Sequence, residues 1–291
     1  MIRLTRTIRL AVTPSRATRP EHGGPRLNTF AAWPAPGLLA AWYEFDVTVV
    51  GTPEPETGYL LGIDVIDRVS RSAALPILEE AFAAGSDEPA AELLVRIAER
   101  IADELGPGCT AVAWRLTPRH EYTWNRDPIG TSEEPHMDRD TGPEITIRER
   151  FEFAAAHRLH CSGRSEEWNR ETFGKCNNPR GHGHNYQVEV AVACGLDGNG
   201  EALLPIASLE AIVDQEIITR FDHRHLNEDC PEFADRNPSV ENITMTCHEL
   251  LDEPLAKAGG RLVSVTVWET GKTSCTYPVV GTPSPLMENA R

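Results

Sequence analysis

Residues Phe173–Val192 read FGKCNNPRGHGHNYQVEVAV, a run that joins a cysteine and two histidines to a strand pattern. Its second half alternates: Tyr186, Val188, Val190 and Val192 are apolar, separated by Gln187, Glu189 and Ala191. Period-2 alternation is the mark of a strand with one face packed inward. His182 and His184 share the parity of Tyr186 and Val188, so both imidazoles leave the strand on its inward face. Upstream, Ile145, Ile147, Phe151 and Phe153 alternate in the same way, and His157 shares their parity. Downstream, Val263, Val265 and Val267 form a closing strand, and Glu269 shares their parity. Between them, Ser208 is a candidate N-cap for a helix with Leu209, Ile212, Val213 and Ile217 inward. Ser239 is a candidate cap for a second, with Val240, Ile243, Cys247 and Leu250 inward.

The pattern occurs twice. An offset of 143 residues lays Tyr43 on Tyr186, Val47 on Val190, Val49 on Val192, and Leu60, Leu61 and Ile63 on Leu203, Leu204 and Ile206. Such self-similarity implies two copies of one fold. The expected class is α+β: two tandem domains, each an antiparallel four-stranded sheet with two helices on one face. The proline-, glycine- and acid-rich stretch 127–142 reads as a linker between a first domain, 1–126, and a second, 143–291.

Three histidines converging from paired strands, with one position left open, is the ligand pattern of a catalytic zinc. His157, His182 and His184 are therefore the candidate metal ligands. The offset places Pro14, Leu39 and Ala41 where those histidines stand, and Trp33 where Cys176 stands. None is a zinc ligand, so one metal site per chain is expected, in the second copy.

The bulk numbers fit a folded, water-soluble chain. It has 291 residues, 40% hydrophobic and 25% charged, with a net charge of −16. That balance disfavours nucleic acid as a partner. No run approaches the ~20 apolar residues of a membrane span. A basic island, Arg158, Arg164, Arg170, Lys175 and Arg180, could receive an anionic substrate such as a phosphate ester. Seven cysteines without a C-x-x-C spacing suggest a reducing, cytoplasmic location. Arg3, Arg6, Arg9, Arg16 and Arg19 resemble a transit peptide in composition, but their place in the repeat argues for folded structure.

Taken in order, the motifs Phe153-Ala-Ala-Ala-His157-Arg-Leu, Phe173-Gly-Lys-Cys176-Asn-Asn-Pro-Arg-Gly-His182-Gly-His184, Phe221-Asp222-His223, Val240-Glu241-Asn242 and Trp268-Glu269-Thr270 resemble the 6-pyruvoyl-tetrahydropterin synthase family over about 145–280. The resemblance implies the tunnelling fold, assembly into homo-oligomeric rings with active sites built between subunits, and Zn2+ as the metal. It implies a lyase acting on 7,8-dihydroneopterin triphosphate. By position, Cys176 is the implied general base, Asp222 and His223 its proton relay, and Glu269 the pterin anchor. Ser239 and Glu241 stand at implied substrate-binding positions. His160, His225 and His248 find no matching role. Glu269-Thr-Gly-Lys-Thr-Ser-Cys275 is closer to the 6-carboxytetrahydropterin synthases of queuosine synthesis, whereas the spacing of Cys176 to His182 is that of the pyruvoyl type, of tetrahydrobiopterin synthesis. Three readings follow: the pyruvoyl-forming lyase, the carboxy-forming one, and a pterin- or zinc-binding scaffold without turnover. In the first copy Glu79-Glu80 stands for Asp222-His223 and Pro118 for Glu269, so that copy reads as structural. A trimer of two-domain chains would stack a ring of active copies on a ring of blank ones.

Overall fold

The computed structural model describes residues 1–13, 28–33, 39–85, 87–127 and 143–279. Most of the expected linker, and Pro14, lie outside the described residues. The chain divides into two compact units: Met1–Ile147 with Gly195–Leu203, and Arg148–Cys194 with Leu204–Arg291.

In the first unit, β1 (Ile2–Val12) pairs antiparallel with β2 (Ala41–Gly51), from Ile2 opposite Gly51 to Val12 opposite Ala41. Arg3, Arg6 and Arg9 thus lie on a strand, while Arg16 and Arg19 lie outside the described residues. β2 pairs with β3 (Cys109–Arg115), with a bulge at Thr48/Val49, and β3 with β4 (His120–Asn125). Two helices, α1 (Ile63–Ala84) and α2 (Ala90–Leu105), follow β2. Leu94, Ile97 and Ile101 recur at helical spacing on α2 and are fully buried, as are Ile8, Leu10 and Val47 on the strands. Each such side chain contributes about 1.5–3 kcal/mol on leaving water. The alternate strand positions carry charge: Arg115 bonds to Glu44 and, at 3.0 Å, to Asp46.

The second unit holds β5 (Glu144–His157) from Arg148 onward, β6 (His182–Gly195), β7 (Arg224–His225), β8 (Arg261–Thr270) and β9 (Thr273–Tyr277). β6 neighbours β5. It also pairs antiparallel with β8, Gln187 opposite Trp268 and Val190 opposite Val265, and β8 pairs with β9. β7 runs parallel to the end of β5, Ala155 opposite Arg224. The expected four strands are thus exceeded: this unit has five, because the chain after Phe221 docks back on β5.

Its helices are also more broken than expected. α3 (Glu166–Phe173) runs into a 3-10 turn, Gly174–Asn177. α4 (Ile206–Val213) continues through a π turn, Asp214–Ile218, into the short α5 (Thr219–Phe221). The short α6 (Leu226–Asp229) precedes the long α7 (Val240–Lys257). Ser208 does not cap α4. The helix starts at Ile206 after Pro205, without a side-chain cap. Ser239 does cap α7, its hydroxyl accepting from Asn242 N at 3.4 Å. Leu251 rather than Leu250 completes the buried stripe with Ile243 and Cys247. The core gathers Phe153, Tyr186, Val188, Val190, Val265, Val267, Leu209 and Ile217, with Phe153 stacked on Tyr186 at 5.0 Å. Among the described residues no helix is long and apolar enough to cross a membrane, and all seven cysteines are free thiols.

Candidate metal centre and active site

β5 ends at His157, and β6 opens with His182 and His184. Their ring centroids lie 4.5–5.2 Å apart. One ligand atom from each falls within 4.8 Å of the other two, so the three form a possible metal site. Strand parity puts all three on the side of Phe153 and Tyr186, and the rings of His157 and His184 lie 6.1 and 5.5 Å from that of Tyr186.

His157 is fully buried and its Nδ1 lies 2.6 Å from Pro238 O. A carbonyl can only accept, so Nδ1 carries the proton and Nε2 presents its lone pair to the cluster. That Nε2 is 3.1 Å from His182 Nε2. Tetrahedral bonds of 2.0–2.1 Å to a common ion would put two ligand nitrogens about 3.3 Å apart. His182 Nδ1 and His184 Nε2 are buried without a hydrogen-bond partner. Orphaned imidazole nitrogens, one tautomer fixed by a carbonyl, and an all-nitrogen donor set fit a borderline metal ion.

Electrostatics agree. Burial, then the neighbouring imidazoles, push His157 down from 6.5 to about 4, against the Pro238 carbonyl. Burial and His184 also lower His182, against Glu269. Both are neutral at pH 7, the state that ligates metal.

Glu269 Oε1 lies 3.5 Å from His157 Nε2 and 3.8 Å from His184 Nε2. No arginine or lysine pairs with it among the described residues. Cys176 sits half-buried on the 3-10 turn, tied down by Leu159 N donating to its carbonyl at 2.9 Å. Burial, then the charge of Glu269, raise its thiol. Protein alone therefore holds Cys176 as a thiol, and a nearby cation is needed to make it a thiolate.

Asp222 and His223 are placed by β5. His223 N donates to Ala154 O at 2.6 Å, and Ala154 N donates to Asp222 Oδ1 at 2.8 Å. The other carboxylate oxygen holds His223 Nδ1 at 2.8 Å, and His223 takes a left-handed φ of 58°. The Ala154 amide, then His223, hold the Asp222 carboxyl below its usual range. The His223 side chain is 83% exposed, and neither residue bonds to Cys176. The structure thus joins the relay pair to each other without closing it on the thiol. A cavity of about 570 Å³ does bring His184 and His223 to one space, lined also by Ala154, Gly183, Asn185 and His225.

Ser239 spends its hydroxyl on the helix cap, and Glu241 is exposed in the first turn of α7. Both follow Pro238, whose carbonyl orients His157. Sequence reasoning missed that carbonyl, since backbone groups leave no residue signature. It also missed His225 and Gly181. Gly181 has φ +68°, and a Cβ there would lie 2.6 Å from His225 Nε2 and 2.9 Å from His157 O. His160 belongs to the site's frame: Arg158 Nη2 donates to Asn177 Oδ1 at 3.1 Å, and His160 Nδ1 lies 2.9 Å from the same oxygen. That bracing clamps the residue after Cys176.

Residues 146–279 match the family model described as 6-pyruvoyl tetrahydropterin synthase. The chain is 37% identical over 134 residues to the 6-pyruvoyl tetrahydrobiopterin synthase of Homo sapiens, covering 46% of this chain and 91% of that protein. It is 36% identical over 135 residues to the enzyme of that name from Drosophila melanogaster, covering 46% and 80%. Among solved structures, the Caenorhabditis elegans 6-pyruvoyl tetrahydropterin synthase aligns with 34% identity, 49% of this chain, 99% of that chain and a TM-score of 0.44. With that identity across nearly the whole length of the human protein, the chain belongs to the 6-pyruvoyl tetrahydropterin synthase family.

Proposed function

We propose that this chain is a zinc-dependent lyase that converts 7,8-dihydroneopterin triphosphate to 6-pyruvoyl-tetrahydropterin with loss of triphosphate. The observation that carries the reading is the convergence of His157, His182 and His184 beside Glu269, at the end of β5 and the start of β6. Family membership and the relatives' names support the substrate class. Zinc held by the three histidines would supply a Lewis-acid cation that makes a bound hydroxyl more acidic.

The remaining roles belong to the chain's own groups. Glu269 anchors the pterin: a mostly buried carboxylate that no lysine or arginine pairs with among the described residues can accept two parallel N–H bonds from an aminopyrimidine edge. Cys176 takes the side-chain proton. Asp222 orients His223, which exchanges protons with solvent and substrate. Ser239 and Glu241 border the pterin end through the turn that carries Pro238. The exposure of His223 supports assembly of the site between subunits, with the relay of one chain serving the thiol of the next. The basic island beside Cys176 would meet the triphosphate.

The first unit is read as a blank copy of the same fold. The 143-residue offset maps β1 onto β5, β2 onto β6 and the start of α1 onto that of α4. Trp33, Leu39 and Ala41 stand where Cys176, His182 and His184 would be. Three such chains would form one active and one blank ring.

The test is an anaerobic incubation of zinc-loaded protein with 7,8-dihydroneopterin triphosphate, with products identified by mass. Pyruvoyl product without acetaldehyde is expected. Carboxy product with one acetaldehyde per turnover would instead favour the second reading, which the Thr270–Cys275 run supports. Zinc binding without turnover would replace both with a binding scaffold.

A further inference from the structure

β1 is flanked in its unit by β2 on one side, and side chains dress its other edge. Asn28 Nδ2 donates to Thr7 O at 2.5 Å, Arg9 N donates to Asn28 Oδ1 at 2.7 Å, and Leu10 bridges to Trp33. Arg71, from α1 and only 5% exposed, joins them through one nitrogen. Its Nη1 donates to Arg9 O at 2.9 Å and to Trp33 O at 3.3 Å, with the guanidinium 5.5 Å from the Trp33 ring centre.

The other edge of that guanidinium is unused. Nε and Nη2 are buried and have no hydrogen-bond partner among the described residues. These two N–H groups are the bidentate fork of an arginine. One turn earlier, Asp67 shows such a fork filled: Arg6 Nε donates to Oδ1 at 3.0 Å and Nη2 to Oδ2 at 2.9 Å. Asp67 thereby spends both oxygens on Arg6. Arginine stays charged at any ordinary pH, and a buried cation without an anionic partner is costly. Burial indeed works against the charge on Arg71, with Asp67 offsetting it only in part.

We propose that the Nε/Nη2 fork of Arg71, beside Trp33, is a binding site for a small oxyanion, a carboxylate or a phosphate, in the N-terminal unit. The ligand is set by fork geometry: two acceptor oxygens in one plane.

The test is thermal unfolding of the full chain in inorganic phosphate, in acetate and in chloride at matched ionic strength. Wild type gains stability over chloride in a saturable way, as an anion bound only to the folded state requires. A gain from phosphate alone assigns phosphate, and one from acetate assigns a carboxylate. Arg71→Met, which keeps the apolar stem, loses the gain. Arg71→Lys, which keeps the charge without the planar fork, loses most of it; a lysine variant with the full gain overturns the fork assignment. Should Arg71→Met not fold, phosphate titration of wild type against Trp33→Phe, read by tryptophan emission, reports the site directly. The same anion gain in wild type and Arg71→Met, or no saturable response by either readout in wild type, refutes the proposal.

Discussion

Replacing Gly181 by alanine should damage the metal centre without touching a ligand. Gly181 sits one residue before His182 with φ +68°, a conformation that costs an L-residue ~1–2 kcal/mol. The added Cβ would also lie 2.9 Å from the carbonyl oxygen of His157 and 2.6 Å from His225 Nε2. The imidazole can swing aside; the strand carbonyl cannot move without carrying His157 with it. Overpacking of that kind costs about 1–3 kcal/mol, so the total is about 2–5 kcal/mol. The chain can bear this as lost stability, or relieve it by shifting the turn and misplacing His182. The second route converts the same free energy into metal affinity, at tenfold per ~1.4 kcal/mol. Two assays divide the cost: denaturant unfolding in chelator, and competitive zinc titration of the native protein. The double variant Gly181→Ala/His225→Ala should recover part of the loss, since it removes the imidazole contact and leaves φ and the carbonyl. If G181A keeps both its stability within about 0.5 kcal/mol and its zinc affinity, the turn does not position His182 as described.

Other outcomes follow from the same geometry. His157 is neutral in the fold because its pKa falls from 6.5 to about 4, while the unfolded chain titrates near 6.5. Its contribution to stability is therefore full above pH 6.5 and is lost as pH falls toward 4, up to about 3 kcal/mol in metal-free protein; H157Q should flatten that slope in chelator-treated unfolding curves. Glu269→Gln should raise the KM for the pterin roughly 10- to 100-fold, the loss of one charge-assisted pair. It should also move the pH midpoint of Cys176 alkylation downward, because the carboxylate charge helps hold the thiol up. Ser239→Ala should cost about 1 kcal/mol of stability as a lost helix cap, and a raised KM with unchanged stability would instead place its hydroxyl on the substrate. Cys176→Ala should keep its zinc and lose turnover, read by metal analysis beside product formation.

The strands were legible because burial is one-sided where it matters: Tyr186, Val188 and Val190 alternate with polar residues, and all three are fully buried. The same parity put three histidines on one face. Helix α7 was legible at its start, where Ser239 has a cap's chemistry. Its buried stripe was not fully fixed, because Leu250 and Leu251 both fit a helical period from Ile243 and packing chose between them. Ser208 carried a capping residue's signature three positions inside the chain's actual turn, which Pro205 sets. β7 has two residues and no apolar pattern, so nothing local announces it; it exists because Asp222 and His223 bond to the backbone of Ala154. The Pro238 carbonyl and the His225 contact at Gly181 come from segments distant in sequence. No spacing rule brings them to His157.

The most direct test of the account is the metal content of the purified chain, measured by native mass spectrometry and elemental analysis after reconstitution with zinc. One zinc per chain is predicted, lost on His182→Ala and on His184→Ala while the chain stays folded. Two per chain, or one that survives both substitutions, would contradict the three-histidine centre and the blank reading of the N-terminal unit alike.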